Sequence, residues 1–365
     1  MNKLRELKVS TPGRICLFGE HQDYLGLPVI ASAISLRIYI YGEKRKDHII
    51  KILMPDINEE DEIVLEFPIK YIKERDYFRS ALNVLWRKGF TFTNGFNIEV
   101  RGEIPINAGT SSSSALIVTW VNFLSQMSAQ SKKLTPEEVA QLAYEAEVLE
   151  FSEPGGMMDQ YTTAIGGTIH IDFYPEFKIE KLNPNLGTFV LGNSLQPKDT
   201  KFILSNVKNR ILKVIEELKR IDNAFSLYQV NLEDLKFFNK ILSKQDYEIL
   251  EGTIINRDIT LEAKKLLKSK NIDHKLFGEL LLEHHKILRN VLKISTTKID
   301  LMIEKAVQAG AIGGKINGSG GGGCMFVYAP ENPEEVKQAI ENVGGKAFII
   351  TLDEGIREEI MEIAK

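Results

Sequence analysis

Residues 104–120 read IPINAGTSSSSALIVTW, and the fold turns on how this stretch is read. A proline and an Asn-Ala-Gly turn lead into four consecutive serines, after which an apolar run begins. Serine favours helix N-caps over helix interiors, because its hydroxyl competes for nearby backbone groups. The spacing therefore predicts a loop that ends in a helix N-terminus near residues 111–114. Such a terminus presents unpaired N–H groups and the positive end of a helix dipole, which together suit a phosphate. Gly109 lets the backbone come close to a bulky anion, and the hydroxyls add donors and a candidate Mg²⁺ ligand. Taken alone, the stretch fits a serine-rich turn capping an ordinary helix equally well.

At 365 residues the chain is long enough for two domains with buried cores. A formal charge of −4 and the lack of a long Lys/Arg run argue against a nucleic-acid surface. Cys16 and Cys324 are far apart in sequence and form neither a metal-ligand nor a redox spacing, as expected of free thiols in a reducing compartment. The opening MNKLRELKVS lacks the apolar core of a signal peptide, and no apolar run approaches a membrane span. A cytoplasmic protein with no membrane partner is expected.

Outward from the serine loop, residues 6–9 and 14–18 read as short strands around Thr11-Pro12-Gly13, and residues 27–40 as one or two more. Residues 44–67 have the mixed charge of edge strands. Residues 77–88 have helical spacing, and 96–100 alternate as a strand that delivers the chain to the serines. Thr135-Pro136-Glu137-Glu138 is a capping box opening a helix to about residue 151, and 166–173 is strand-like. Pro175, Pro184 and Gly187 mark a change of composition, and the domain boundary is placed there, as 1–185 and 186–365. The second half has helical spacing at 201–221, 231–242, 260–268, 275–292 and 296–309. Strands at 312–316, 324–328 and 346–352, with a helix at 333–343, predict a small α+β layer beside those helices.

Three further stretches carry chemistry. Pro12-Gly-Arg-Ile-Cys-Leu-Phe-Gly-Glu-His-Gln-Asp-Tyr24 gathers Arg14, Glu20, His21 and Asp23 around a glycine. Carboxylates and an imidazole on one turn can hold several sugar hydroxyls, since each hydroxyl both donates and accepts. Glu147 and Asp159 flank the Gly155-Gly156 turn, and could divide the work between Mg²⁺ and an attacking hydroxyl. Residues 318–323 hold five glycines in six positions, a loop whose N–H groups can cup phosphates. That loop leads into a strand instead of a helix, which argues against a dinucleotide fingerprint. Lys315 is not followed by Ser or Thr, so the preceding Gly-Gly-Lys is no Walker A.

In this order, these stretches resemble the superfamily of galactokinase, homoserine kinase, mevalonate kinase and phosphomevalonate kinase, the GHMP kinases. The resemblance runs from Pro12 to about Tyr328 and includes Gly310-Ala-Ile-Gly-Gly-Lys315. It implies an α+β, two-domain fold: an N-terminal ribosomal S5 domain 2-like α/β domain, and a C-terminal ferredoxin-like α+β domain with added helices. The active site would lie in the cleft between them. The first motif is similar to the galactokinase pattern G-R-x-N-L-I-G-E-H-x-D-Y, which implies Arg14 near the reacting groups and Glu20, His21 and Asp23 on the sugar. The G-x-M-D-Q motif of galactokinases matches Gly156 to Gln160, which implies Gly156 beside the substrate and Asp159 as the catalytic aspartate. Ser114 and Glu147 are the matches to the family's Mg²⁺ ligands. Gly109, Ser111, Ser112 and Ser113 would line the triphosphate of ATP, and Gly318, Gly320 and Gly321 would close on it from the other domain.

There are departures. Cys16 replaces the usual Asn, the serine loop has one extra residue, and the tyrosine that galactokinases place beside the sugar has no match. Residues 193–200 are more like the corresponding loop of mevalonate kinases. The expectation is an ATP- and Mg²⁺-dependent kinase acting on a hydroxyl of a sugar. A mevalonate-type kinase ranks below it, because Glu20 and Asp23 would repel a carboxylate substrate. A non-catalytic sugar- and ATP-binding sensor of the same fold would have no need of the reacting aspartate.

Overall fold

The computed structural model describes residues 5–197 and 200–362; Lys198 and Asp199 of the 193–200 loop lie outside the described residues, as do residues 1–4. The chain builds two sheets, each with helices on it. The first half contributes β1 (Arg5–Phe18), β2 (Val29–Lys44), β3 (Ile49–Met54), β4 (Glu59–Val64), α1 (Tyr77–Arg87), β5 (Phe96–Gly102), α2 (Ser112–Met127), α3 (Pro136–Tyr144), α4 (Met158–Ile165), β6 (Thr168–Asp172) and β7 (Lys178–Leu182). The second half contributes β8 (Phe189–Asn193), α5 (Thr200–Ile221), α6 (Leu232–Phe238), α7 (Lys244–Leu267), α8 (His274–Asn290), α9 (Thr297–Gln308), β9 (Gly313–Ile316), β10 (Cys324–Tyr328), α10 (Pro333–Asn342), β11 (Lys346–Ile350) and β12 (Arg357–Glu362).

The larger sheet runs β12-β1-β2-β5-β3-β4, with β6 pairing to β2 and β7. Alternate residues of its strands, such as Leu7, Val9, Ile40 and Ile98, pack with Trp120, Phe123 and Leu124 of α2 into the main core. The smaller sheet is antiparallel with order β11-β8-β10-β9. Renumbered within that layer, the order is 4-1-3-2 with helices before the second and fourth strands, the ferredoxin-like arrangement expected. The sheet changes between β7 and β8, inside the proline- and glycine-marked stretch. The last strand, β12, crosses back to pair antiparallel with β1, so the C-terminal residues belong to the larger sheet.

Several local outcomes differ from the expectation and have physical reasons. The two short strands around Thr11-Pro12-Gly13 are one strand, β1, with a register shift between Pro12 and Arg14 that accommodates a residue lacking a ladder donor. A Cβ on Gly13 would lie 2.9 Å from the Thr110 carbonyl oxygen, so the bare backbone there lets the serine loop dock on the strand. The capping box of α3 is present, with the Thr135 hydroxyl and the Glu138 carboxylate bonding reciprocally. The helix does not stay regular to residue 151: residues Glu145–Leu149 form a π turn. α7 starts sixteen residues earlier than its periodic part at 260. It packs against α5, α6, α8 and β1, so its apolar residues fall on more than one face and the single stripe disappears. No helix among the described residues is long and apolar enough to cross a membrane.

Candidate active site

A cleft of about 720 Å³ between the two layers is lined by residues of the first motif, the serine loop, the Gly155-Gly156 turn and the late glycine loop. Four sequence-distant stretches therefore converge. A second groove, of about 830 Å³, crosses the open face of the larger sheet beside Tyr41, Lys51 and Glu99, and contains none of the motif residues.

Arg14 is the hub. Its Nε donates to Asp159 Oδ1 at 2.8 Å, its Nη2 to Asp159 Oδ2 at 2.9 Å, and its Nη1 to the Gly109 carbonyl at 2.6 Å. Its backbone N–H bonds the Thr110 carbonyl, which ties β1 to the serine loop. A planar guanidinium suits this forked work, because its donors are fixed in directions that grip both carboxylate oxygens and a carbonyl together, as a compact ammonium does not. Burial disfavours the charged guanidinium, but the charges of Asp159 and Glu20 outweigh that and hold its pKa above the ordinary value. Asp159 sits in the first turn of α4, where a carboxylate also complements the helix dipole.

Asp23 lies against the Gly155-Gly156 turn. Its carboxylate accepts from the Tyr24 N–H at 2.9 Å and the Met158 N–H at 3.3 Å. A Cβ on Gly156 would lie 2.0 Å from Asp23 Oδ2, so glycine is required for this approach. Burial first, then the charge of Asp159, pushes the Asp23 carboxyl up to about 6, with the two backbone N–H groups acting the other way.

Glu20 and His21 border the same cleft but are tied across it. Glu20 Oε2 accepts from Lys315 Nζ at 2.9 Å and from the Gly318 N–H at 3.0 Å, and both side chains of this ion pair are buried. His21, in the left-handed region at φ 64°, pairs Nδ1 with the Tyr24 hydroxyl and Nε2 with the Ser319 carbonyl. The first motif thus joins the two halves of the molecule as well as bordering the cleft.

At the serine loop, Ser111 is the N-cap of α2 with φ 60°, and its hydroxyl does not cap the helix. Its buried Oγ has no hydrogen-bond partner, so it is a donor held ready beside the unpaired N–H groups of the first turn. Glu147 comes inward on the π turn, which places it among buried residues although its neighbour Glu145 stays at the surface side. The hydroxyls of Ser113 and Ser114 and the amide of Gln160 bond its carboxylate, the last at 2.6 Å; burial nonetheless raises its pKa.

The late glycine loop meets the serine loop backbone to backbone. Gly318, at φ 77°, would strike Gly109 with any side chain, and the Cys324 N–H donates to the Ala108 carbonyl at 2.7 Å. Asn317 locks the junction, bonding the Gly109 carbonyl and accepting from the Cys16 N–H. Gly318 and Ser319 border the cleft. Gly320 and Gly321 do not: their backbones pack on Ile294 and Ile203, and the Gly321 N–H is spent on the Ile294 carbonyl. The run of glycines concealed this division, since a sequence of identical residues shows no facing. Lys315, Asn317 and Gln160 escaped the sequence reading as site residues, although each lies within or beside a quoted motif.

Known proteins resemble this chain over nearly its whole length. The sequence profile of the GHMP kinases N terminal domain matches residues 76–167, that of the GHMP kinases C terminal domain matches 263–348, and the galactokinase galactose-binding signature matches 3–44. A mevalonate kinase of Thermococcus onnurineus is 30% identical over 96% of this chain and 98% of its own length. Human galactokinase is 26% identical over 94% of this chain and 89% of its own length. The crystal structure of Lactococcus lactis galactokinase complexed with galactose superposes with a TM-score of 0.84 at 21% identity, covering 98% of this chain and 95% of that one.

Proposed function

The chain belongs to the GHMP kinase family, whose members transfer phosphate from ATP, and from that premise we propose that it phosphorylates a hydroxyl of a neutral sugar. The observation that carries the sugar over mevalonate is the charge balance around the Gly155-Gly156 turn. Asp23, Asp159 and Glu153 converge there. Of the cations beside them, Arg14 is held by Asp159 and Arg75 by Glu153, each through two hydrogen bonds, and Lys208 is held outside the cleft on the Pro154 carbonyl. A substrate carboxylate would meet the Asp23 carboxylate, which no cation among the described residues pairs, whereas a hydroxyl can donate to it. The galactose-binding signature over the first motif supports the same reading.

Asp159, fixed at both oxygens by Arg14, orients the acceptor hydroxyl toward the γ-phosphate and receives its proton or passes it on. Gly156 leaves room for the Asp23 carboxylate, which accepts a second hydroxyl. The serine loop, the first turn of α2 and the Ser111 hydroxyl hold the phosphates. Ser114 and Glu147 suit Mg²⁺: the donors are all oxygen, one is a carboxylate, and phosphate oxygens and water complete such a set. Among the described residues no group of three or more His, Cys, Asp or Glu could hold a metal unaided. Bound there, Mg²⁺ neutralises phosphate charge.

A coupled ADP-release screen over hexoses, pentoses, uronic acids and mevalonate tests the reading. A neutral sugar should give the highest kcat/KM. The reading fails if mevalonate or a uronic acid outranks every neutral sugar.

A further inference from the structure

Between β8 and α8, the second half inserts α5, α6 and α7, and this helical unit grips the first motif. Leu25 and Leu27 are part of its apolar core with Ile211, Val214 and Leu218. On α5, Lys208 reaches two loops at once. Its Nζ donates to the Pro154 carbonyl at 3.1 Å and lies 5.4 Å from the centre of the Tyr24 ring. Pro154 precedes the Gly155-Gly156 turn that leads to Asp159. Tyr24 follows Asp23, and its N–H and hydroxyl hold Asp23 and His21. Lys208 does not border the cleft itself.

We propose that Lys208 is a positioning residue for the acceptor, a clasp from the inserted helices that holds the Asp23 loop and the Asp159 loop in register. One ammonium can serve both, because it offers three donors to a carbonyl and its charge to an aromatic face. The two carboxylates that would meet the acceptor sit on separate segments, Asp23 in a single 3-10 turn and Asp159 in the first turn of α4, and the segments meet where the Gly155-Gly156 turn enters that helix. A small drift between them would misplace the acceptor hydroxyl while leaving the phosphate loop untouched.

Two measurements on the full chain test the clasp, the second resting on the sugar-kinase reading and the first independent of it. Amide hydrogen exchange is compared in wild type, Lys208→Met and Lys208→Arg. Lys208→Met should speed exchange in residues 20–27 and 153–158 while residues 106–114 stay protected, and Lys208→Arg should restore protection. Unchanged exchange in Lys208→Met, or loosening spread equally over all three segments, overturns the proposal. With D-galactose as acceptor, Lys208→Met should raise the KM for galactose about tenfold, as expected for loss of a charged donor's hydrogen bond, with the KM for ATP nearly constant. Equal rises in both constants overturn it. Should wild type release no ADP with galactose, the substrate reading loses support and the exchange result alone judges the clasp.

Discussion

The two ends of the cleft are built differently. At the end proposed for the phosphates, some polar groups are left uncommitted, although Ser113 and Ser114 bond Glu147: the Ser111 hydroxyl has no partner and the first turn of α2 has no side-chain cap. At the acceptor end nearly every polar group is already engaged, Arg14 with Asp159, Glu20 with Lys315, His21 with Tyr24, Asp23 with two backbone N–H groups. A highly charged ligand brings its own binding energy and needs open donors. The neutral acceptor proposed above would bind through hydrogen bonds whose value depends on aim, which suits groups fixed beforehand.

This contrast can be broken by substitution. Asp159→Asn should have the largest effect, lowering kcat by three orders of magnitude or more (~4 kcal/mol) with nucleotide affinity retained. Steady-state kinetics with a parallel nucleotide-binding titration checks it; turnover near wild type would remove Asp159 from the reaction. Gly156→Ala comes next. The added Cβ would meet Asp23 at 2.0 Å, so the acceptor KM should rise by about two orders of magnitude while ATP binding is spared. Lys315→Met leaves the buried Glu20 carboxylate unpaired and should cost about 3–5 kcal/mol in denaturant unfolding, because this tie joins the two halves.

The pH dependence sharpens the comparison further. Asp23 accepts from a hydroxyl most strongly when ionised, and burial pushes its carboxyl up to about 6. Acceptor kcat/KM should therefore fall below about pH 6, and Asp23→Asn should flatten that limb while lowering the plateau. Since its pKa in the folded protein lies above the unfolded value, Asp23 favours folding most at low pH. That contribution is lost as pH rises from about 4 to 6. The smallest effect should come from Ser111→Ala, a rise of about threefold to tenfold in the KM for ATP with the acceptor KM unchanged, since one donor among several is removed.

Much of this arrangement was legible in the residues. The capping box at Thr135, the strand that delivers the serine loop and the strand-helix-strand of the smaller sheet follow from local composition, and the clustering of Arg14, Asp23 and Asp159 was implied by the family resemblance of their motifs. Other features left no local mark. The start of α7 is hidden because a helix buried on several sides shows no stripe, and β12 is a charged terminal segment whose partner, β1, is more than three hundred residues away. The inward turn of Glu147 depends on a π turn that no residue type announces.

By itself the sequence determined which chemistry is available: a serine-rich loop opening a helix, a forked cation, carboxylates on tight turns and a glycine run whose bare backbone can approach other groups closely. Those are properties of residue type and short spacing, set by backbone sterics and hydrogen-bonding capacity. Tertiary structure alone decided which of these groups face a ligand and which hold the halves together. It turned Gly318 toward the serine loop and Gly320 and Gly321 away, and gave Glu20 a buried lysine from the far end of the chain. Facing and pairing depend on which distant segments share a volume, and that is fixed by packing the whole chain.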